Sequence, residues 1–447
     1  MRIRICKCIV TCAALVTVPS WLTAQNPAEQ ETKQVRYKVI SLGTLGGSFA
    51  EGNGISNKDW VAGFSTLPGD QAYHATLWTK ERGLEDLGTL GGANSSMSFP
   101  VKDARGLLVG VADISTIDPF NEGLCGGQAG PFTISDPYIC RGFMWKKGVM
   151  TPLPTLGGNN SFAENVNDRG QIVGIAETAN PDPNCIAPQV FDFEAVIWGP
   201  PQDQIQELPL LPGDVVAFAT GINDKGQVAG AAGPVCASPP VALYTSSHIV
   251  LWENGTVTNL GSLGGVAGNL PFAINNRGDI VGQSDVAGDT ANQAFLWTKE
   301  KGMQALGTLP DYSASGVAFG INNKGQIVGG LNDASGSGPA VLWQNGLATD
   351  LNTLICGGSS LYLGFAGDIN DDGEIAGQAI DINTGAMVGF LAIPVQGGDD
   401  CQANPIAGQR VVLPEAVREQ LRQHSNHGRF GRGLIRPQQF VGATGNR

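Results

Sequence analysis

The sequence predicts an all-β fold: a seven-bladed β-propeller of four-stranded antiparallel blades, closed by pairing of its N- and C-terminal strands. Three observations support this prediction. One hairpin pattern occurs seven times, two further markers recur in step with it, and the two ends of the repeat region complement each other. Repeats of tens of residues are typical of propellers, solenoids and arrays. A closed ring accounts for all three observations together.

The repeated hairpin is clearest at residues 318–329. There Ala-Phe-Gly-Ile-Asn leads into Asn-Lys-Gly, and Gln-Ile-Val-Gly leads away. Asn can hydrogen-bond its own backbone in a turn, and Gly supplies the positive φ that ends a short hairpin loop. The first copy lacks the turn Gly, and the second lacks the Ile-Asn pair. The other copies lie at residues 54–59, 101–106, 165–170, 221–226, 273–278 and 368–373.

Two markers accompany each hairpin, so that a full repeat is predicted to have four strands. A Leu-Gly-Thr-Leu-Gly-Gly motif or a variant precedes it, and successive motifs begin 45 to 66 residues apart. The motifs begin at Leu42, Leu87, Leu153, Leu208, Leu260, Leu306 and Leu351. A short apolar run after six of the hairpins ends at Trp78, Trp145, Trp198, Trp252, Trp297 and Trp343. The 63 glycines and the 15% of charged residues fit many short strands and turns.

The repeat region begins with an extra strand and ends with one strand missing. Residues 38–45 match the last strand of each later repeat but precede every hairpin, and the seventh repeat ends at Pro394 after three strands. Pairing of the two ends would complete the last blade and remove the exposed edges of an open array. A β-solenoid or an open array gives no reason for this complementarity.

The first 24 residues have the pattern of a secretory signal. Arg2 and Arg4 give a positive start, residues 5–18 are largely apolar, and Ala24 provides a small residue for cleavage. The apolar run is too short to span a membrane. A lipoprotein site at Cys12 is disfavoured because little apolar sequence precedes it. We therefore expect a secreted, periplasmic or extracellular protein without a transmembrane segment.

The domain organisation follows from the repeats and the signal. We expect a signal peptide at 1–24, a disordered leader at 25–35, the propeller at 36–394 and a flexible basic tail at 395–447, with one short helix at 413–424. The formal net charge of −13 becomes about −16 when the signal and its three positive charges are removed. An acidic surface argues against nucleic acid and anionic membranes as partners. We expect a monomer that binds a polysaccharide or a protein.

Six cysteines remain after the signal, and an even number in an exported chain predicts disulfides. Six cysteines allow fifteen connectivities. The positions expected in the ring favour one pair within an insertion, one between neighbouring insertions and one at the start of the tail. These pairs are Cys125–Cys140, Cys185–Cys236 and Cys356–Cys401. Because no two cysteines have the spacing of a zinc motif and no histidine cluster accompanies them, we expect no metal site and no cofactor.

The candidate functional surface is one face of the ring. Repeats two to four carry insertions between their second and third strands, at about 113–140, 177–192 and 231–247. Alternating strand directions place these insertions on the same face as the Gly-Gly loops, and binding residues concentrate on loops held by rigid scaffolds. The alternative is that long surface loops vary at little cost. The candidate ligand-binding residues are Asp118, Phe120, Tyr138, Phe191 and Tyr244.

No catalytic residue can be assigned, and binding or scaffolding is favoured over catalysis. The Gly-rich motif lacks the Lys-Ser/Thr and the helix of a phosphate-binding loop. Four histidines offer no nucleophile–base pair or metal triad. The alternative is a carbohydrate-active propeller enzyme, a glycosidase or lyase, with two carboxylates on the insertion-bearing face. A deep pocket with converging acids would favour the enzyme, and a shallow surface would favour binding.

The combined unit, G-I-N followed by G-x-I-V-G, A-F-L-W and L-G-T-L-G-G, resembles the HAF repeat of bacterial extracellular repeat proteins. The His-Ala-Phe signature survives in part, as His74-Ala75 and as Gln293-Ala294-Phe295. The resemblance covers nearly the whole repeat region. It implies an exported β-repeat protein of unassigned activity and brings no catalytic residues with it.

Overall fold

The computed structural model describes residues 35–97, 106–122, 137–237, 247–395 and residue 401. In this part of the chain, 28 strands form seven four-stranded antiparallel sheets, and consecutive sheets pack against one another as the blades of a propeller. The predicted fold class is therefore confirmed. The described residues contain one short 3₁₀ helix, Leu351–Leu354, and no helix that is long and apolar enough to cross a membrane.

Blades 1 to 6 follow one another along the chain, and each begins with the strand nearest the centre of the ring. Blade 1 contains β2 (Ala50–Ile55), β3 (Val61–Thr66), β4 (Tyr73–Thr79) and β5 (Gly83–Asp86). Blade 2 contains β6 (Gly91–Ser96), β7 (Leu108–Ile117), β8 (Tyr138–Lys146) and β9 (Val149–Pro152). Blade 3 contains β10 (Gly157–Val166), β11 (Ile172–Pro181), β12 (Phe191–Trp198) and β13 (Ile205–Glu207).

The remaining blades repeat this order, and the last one takes its outermost strand from the start of the repeat region. Blade 4 contains β14 (Val216–Ile222), β15 (Val228–Gly233), β16 (His248–Glu253) and β17 (Thr256–Asn259). Blade 5 contains β18 (Leu270–Ile274), β19 (Ile280–Asp285), β20 (Asn292–Thr298) and β21 (Gly302–Ala305). Blade 6 contains β22 (Ser315–Ile321), β23 (Ile327–Asn332), β24 (Ala340–Gln344) and β25 (Leu347–Asp350). Blade 7 contains β26 (Leu361–Ile369), β27 (Ile375–Asp381), β28 (Met387–Val395) and β1 (Arg36–Gly43).

The ring closes as the sequence predicts. β1 pairs antiparallel with β28, with Lys38 opposite Ile393 and Gly43 opposite Gly389. Tyr37 on β1 is only 1% exposed, because it packs among the buried side chains of blade 7. The N-terminal strand therefore completes the hydrophobic core of the last blade and covers the edge of β28.

The sequence pattern predicts the four strands of the sixth repeat at 318–322, 326–329, 340–343 and 347–354, and three of them need correction. The first strand, β22, begins three residues earlier, at Ser315. The second strand was expected at 326–329, but β23 continues to Asn332 because its far end pairs with the start of β22. The fourth strand was expected at 347–354, but it ends at Asp350. The Asp350 side chain accepts a hydrogen bond from the Asn352 backbone N–H and so begins a 3₁₀ helix.

Candidate functional site

The two faces of the ring differ in their connections. The turn face carries the turns between the first and second strands and between the third and fourth strands of each blade. The insertion face carries the connections between the second and third strands and the crossings to the next blade. This arrangement follows from the strand order of every blade. The candidate ligand-binding residues that the structure describes lie on or next to the insertion face.

One asparagine in each of five hairpins joins neighbouring blades on the turn face. Its Nδ2 donates to a backbone carbonyl of the next blade at 2.9–3.2 Å. The donors are Asn167, Asn223, Asn275, Asn322 and Asn370, and the acceptors are the carbonyls of Asn223, Asn275, Asn322, Asn370 and Ser56. These side chains are committed to the scaffold and are not available to a ligand.

The Leu-Gly-Thr-Leu-Gly-Gly motifs are structural as well. In blade 3, the Thr155 hydroxyl donates to the Gly158 carbonyl at 2.9 Å, and Gly157 has a φ of 114°. A Cβ on Gly158 would lie 2.5 Å from the Glu177 Cβ, so only Gly fits there. The next backbone N–H, of Asn159, donates to the Glu177 carboxylate at 3.1 Å. An internal carboxylate thus occupies the place that a phosphate would need.

The same arrangement recurs in other blades. The hydroxyl of Thr or Ser donates to the second Gly carbonyl of the motif at 2.7–2.9 Å in the motifs that contain Thr44, Thr89 and Ser262. A carboxylate accepts the N–H that follows the Gly pair in two of them. These bonds are Ser48 N–H to Asp70 and Val266 N–H to Asp289, both at 2.8 Å. The interpretation of the motif as a scaffold element rather than a phosphate cradle agrees with these contacts.

The described parts of the three insertions are joined into one layer, here called the insertion wall (residues 117–122, 182–190 and 234–237). The Glu122 carboxylate of blade 2 accepts the backbone N–H groups of Val190 and Phe191 in blade 3, at 2.8 and 3.0 Å. A Cys185–Cys236 disulfide joins the insertions of blades 3 and 4, and the Ile186 N–H donates to the Cys236 carbonyl at 2.7 Å. The wall therefore spans three consecutive blades.

Asp118 and Phe191 are buried and support the insertion wall through internal contacts. Asp118 is 5% exposed, and its carboxylate accepts the N–H groups of Phe120 and Glu122 at 3.1 and 3.2 Å. Phe191 is also buried, and its ring meets the Phe120 ring edge-on at 5.1 Å. Phe120 is 45% exposed. Of these three candidates, Phe120 is the one that offers a surface to a ligand.

The other two candidates are placed differently. Tyr138 is half-buried at the start of β8, opposite Ile117 on β7. Its backbone position places it beside the wall rather than within it. Tyr244 lies outside the described residues, so its proposed part in binding stays a prediction.

Two buried carboxyl groups hold the wall together. Gln189 Nε2 donates to both, at 3.2 Å to Glu122 and 3.3 Å to Glu177. The pKa of Glu177 is raised to about 7, mainly by burial and also by the charge of nearby Glu122, whereas hydrogen bonds from Asn160 and Gln189 lower it. Burial also raises the pKa of Glu122. Both side chains have no solvent exposure, so they serve the packing of blades 2 and 3 and are closed to a substrate.

Sequence reasoning missed the exposed aliphatic side chains of this surface. Ile117 at the end of β7 is 55% exposed, and Ile186 in the blade 3 insertion is 52% exposed. Val215, just before β14, is 37% exposed and donates its N–H to the Gly233 carbonyl, where the blade 4 insertion begins. The sequence signal for each of them is an apolar residue in or beside an insertion. The sequence prediction instead selected mainly aromatic residues of the insertions as ligand-binding candidates.

The disulfides agree with the prediction where the structure describes them. Cys185–Cys236 and Cys356–Cys401 are both formed, and the latter anchors residue 401 to the loop before β26. Cys125 lies outside the described residues, so the Cys125–Cys140 pair stays a prediction. Asp192 lies near Cys185 and Cys236, but both sulfurs are already bonded to each other, so the group offers no thiolate to a metal.

Known structures are similar to this chain at the level of the fold. An oligogalacturonate lyase from Vibrio parahaemolyticus is 11% identical, with 81% of this chain and 94% of that chain covered and a TM-score of 0.43. A gluconolactonase from Xanthomonas campestris is 8% identical, with coverages of 80% and 90% and a TM-score of 0.36. A Pyrococcus horikoshii acylaminoacyl peptidase is 11% identical, with coverages of 80% and 53% and a TM-score of 0.45.

These likenesses assign no activity and no substrate to the chain, because propellers host many unrelated functions and the identities are very low. No known family profile and no curated protein matches this sequence.

Proposed function

We propose that this chain is an exported binding module whose insertion wall takes a protein ligand at the cell exterior. The observation that carries the proposal is the exposure of Ile117, Phe120 and Ile186 on segments whose backbones are tied to one another across blades. Single exposed apolar side chains are ordinary, whereas several on one rigid surface mark interaction sites. A fixed backbone also lowers the entropy that a surface loses when it binds.

The chemistry of the wall favours a protein over a polysaccharide and favours binding over catalysis. Sugar rings stack on aromatic faces, and Phe120 is the one aromatic side chain among these three exposed groups. Two of the three wall carboxylates, Asp118 and Glu122, are nearly or fully buried and accept backbone N–H groups, and the third, Asp182, accepts bonds from the backbone and side-chain amides of Asn184 at 2.8 Å. A hydrolase would need such groups at an accessible position beside its substrate.

Export is part of the same proposal. Disulfides such as Cys185–Cys236 and Cys356–Cys401 persist mainly in oxidising compartments. The signal-like start of the sequence agrees with this location. The repeat pattern further supports membership in the HAF-repeat family, whose extracellular character fits an exported binding module.

The test compares the two faces. Phe120→Asp/Ile186→Asp should abolish retention of exported proteins from the producing cells, as measured by biolayer interferometry on the immobilised propeller. Leu347→Asp is the matched control, because Leu347 is 71% exposed at a turn-face connection of blade 6. Both variants should keep the wild-type melting temperature. Loss of binding in the Leu347 variant, or binding of a polysaccharide panel alone, would contradict the proposal.

A further inference from the structure

A groove on the outer rim lies between blades 2 and 3, apart from the exposed residues of the insertion wall. Its volume is about 620 Å³, within the range of small-molecule sites. β8, β9, the segment that follows β9 and the β12–β13 turn contribute its lining. The side chains that line the groove are mainly apolar, and Arg141 is the one cation among them. The principal lining residues are Met144, Pro152, Leu153, Pro154, Pro201 and Arg141.

Within the described part of the chain, Arg141 has no direct partner of the kind that a partly buried cation needs. Its side chain is half-buried, and among the described residues none forms a hydrogen bond or ion pair with the guanidinium. Burial lowers the pKa of Arg141, and the charge of Glu177 opposes that effect. Glu177 is itself engaged by Asn160 and Gln189. A guanidinium stays protonated in proteins, so the desolvated charge is left without a direct counterion.

In two other blades, the residue at the strand position of Arg141 has a carboxylate partner. His74 in β4, like Arg141 in β8, lies four residues before the tryptophan that marks the third strand. His74 Nδ1 lies 2.9 Å from the carboxylate of Asp86 on the outermost strand. Asp86 pairs with Thr76, and the matching pair in blade 2 is Pro152 with Phe143. Blade 2 thus has a proline where blade 1 has the carboxylate.

Blade 4 supplies a carboxylate to this position in another way. His248 also lies four residues before its tryptophan, and its Nδ1 lies 3.0 Å from Asp214, which precedes β14. Two basic side chains at this position are therefore paired within the protein. Arg141 differs from both because the groove, rather than a carboxylate, lies beside it.

We propose that the rim groove binds an amphiphilic monocarboxylate, with its apolar chain along the proline and methionine walls and its carboxylate on Arg141. The ligand carboxylate would take the place that Asp86 has beside His74 in blade 1. Arg can bind a carboxylate through two parallel hydrogen bonds, which gives geometric specificity as well as energy. Asp203, which also lines the groove, disfavours a second negative charge on the ligand.

The test uses decanoate, decanol and decyltrimethylammonium below their micelle concentrations, with the full chain. Isothermal titration should show decanoate binding at least about tenfold tighter than decanol, as expected for a charge-assisted hydrogen-bonded pair. The ammonium compound should bind no better than decanol. Carboxylate-labelled decanoate should also shift its ¹³C resonance when it binds the wild-type protein.

Two variants and two controls identify the site. Arg141→Met should abolish the preference for decanoate. Pro152→Asp should also abolish this preference although Arg141 is still present, because it gives blade 2 a carboxylate at the position that Asp86 has in blade 1. This second variant tests the proposal even if Arg141→Met folds poorly. The controls are Arg169→Met, at an exposed arginine of blade 3, and the Phe120→Asp/Ile186→Asp wall variant. Both should bind decanoate normally.

The outcomes separate this proposal from that for the insertion wall. Equal binding of decanoate and decanol by the wild-type protein, or a preference for decanoate that survives in Arg141→Met, would overturn the groove assignment. Loss of decanoate binding in the wall variant would place the ligand elsewhere and would also overturn it. Retained decanoate binding in a wall variant that no longer captures exported proteins would support two separate sites.

Discussion

The turn face and the insertion face are built from the same repeat, but they use their side chains differently. On the turn face, Asn223 and its equivalents each bond to the next blade at 2.9–3.2 Å. On the insertion face, Glu122 and Cys185 bond to the insertions of neighbouring blades, and neither residue is part of the repeat pattern. Positions that repeat build the ring, whereas departures from the repeat give individual blades their own surfaces.

This difference explains why the binding proposal concerns blades 2 to 4. A ligand needs groups that the scaffold has not already used, and the turn-face asparagines are used. The exposed side chains of Phe120 and Ile186 belong to insertions that repeat 6 does not have. The rim groove follows the same rule, since no described residue pairs with Arg141, whereas the equivalent His74 is paired with Asp86. The predictions below test how much of the scaffold depends on repetition.

The largest effect is expected from removal of β1. Deleting residues 36–43 bares the edge of β28 and removes the buried side chains of Tyr37 and Leu42, which are 1% and 7% exposed. The loss of these two side chains alone costs about 3 kcal/mol or more. Size-exclusion chromatography with light scattering should show aggregates, because an open strand edge pairs with other chains.

The matched control for this deletion removes residues 25–34 and leaves β1 in place. That variant should elute as the wild-type protein does and unfold at the same temperature. A monodisperse variant without residues 36–43, with the wild-type melting temperature, would contradict closure as the source of stability.

The comparison of faces also explains how much the sequence could predict. Strand pairing follows local patterns, so hairpins, markers and the orphan strand predicted the seven blades and the pairing of the N-terminal strand with the last strand of the seventh repeat, where Lys38 lies opposite Ile393. The Cys185–Cys236 pair was predictable because the ring places consecutive insertions side by side. Each of these predictions depends on the backbone path, which the repeat period determines.

Burial within the insertions was not predictable in the same way. Asp118 and Phe191 were expected to face a ligand, but Asp118 holds two N–H groups of its own loop and Phe191 lies beneath Phe120. Which side chain of a loop points inward depends on contacts with the neighbouring blade, and no sequence period encodes those contacts. The lack of a carboxylate partner for Arg141 among the described residues has the same origin, since it depends on Pro152 of another strand.

An intermediate effect is expected from one turn-face asparagine. Asn223→Ala removes the bond to the Asn275 carbonyl of the next blade, which keeps its bond from the Gly278 N–H, and it also removes the bonds of the Asn223 side chain to Lys225 and Gln227 in its own turn. The cost should be about 1–3 kcal/mol, as for other buried hydrogen bonds that lose one member. Guanidinium unfolding should show a lower midpoint. Asn180→Ala is the control at an exposed position and should leave the midpoint unchanged, while equal effects of both variants would argue against the turn-face ring.

The smallest effect concerns the seam between blades 7 and 1, where the turn face departs from its own pattern. In blade 4, the Gln227 amide lies against the turn glycine of blade 5, 3.1 Å from where the Cβ of Gly278 would be. At the seam, Glu374 takes the glutamine position and Asp59, with a φ of 61°, takes the glycine position. The pKa of Glu374 is raised to about 7, mainly by burial and also by its hydrogen bond to Asp59 and the charges of Asp59 and Asp372, while a hydrogen bond from Asn370 lowers it.

Because the pKa of Glu374 is about 7 in the folded chain and 4.5 as its ordinary value, the folded state holds this proton more tightly than the unfolded state does. Its stabilising effect is therefore complete below pH 4.5 and is lost as the pH rises through 7. Glu374→Gln should match the wild-type stability at pH 4 and exceed it at pH 8 by about 1–2 kcal/mol, after allowance for solvent screening at the exposed Asp59. Urea unfolding at both pH values measures the difference, with Glu300→Gln as the exposed control. If the free energy of unfolding of the wild-type protein changes no more between pH 4.5 and 7 than that of Glu374→Gln, this carboxyl pair does not determine the stability of the seam.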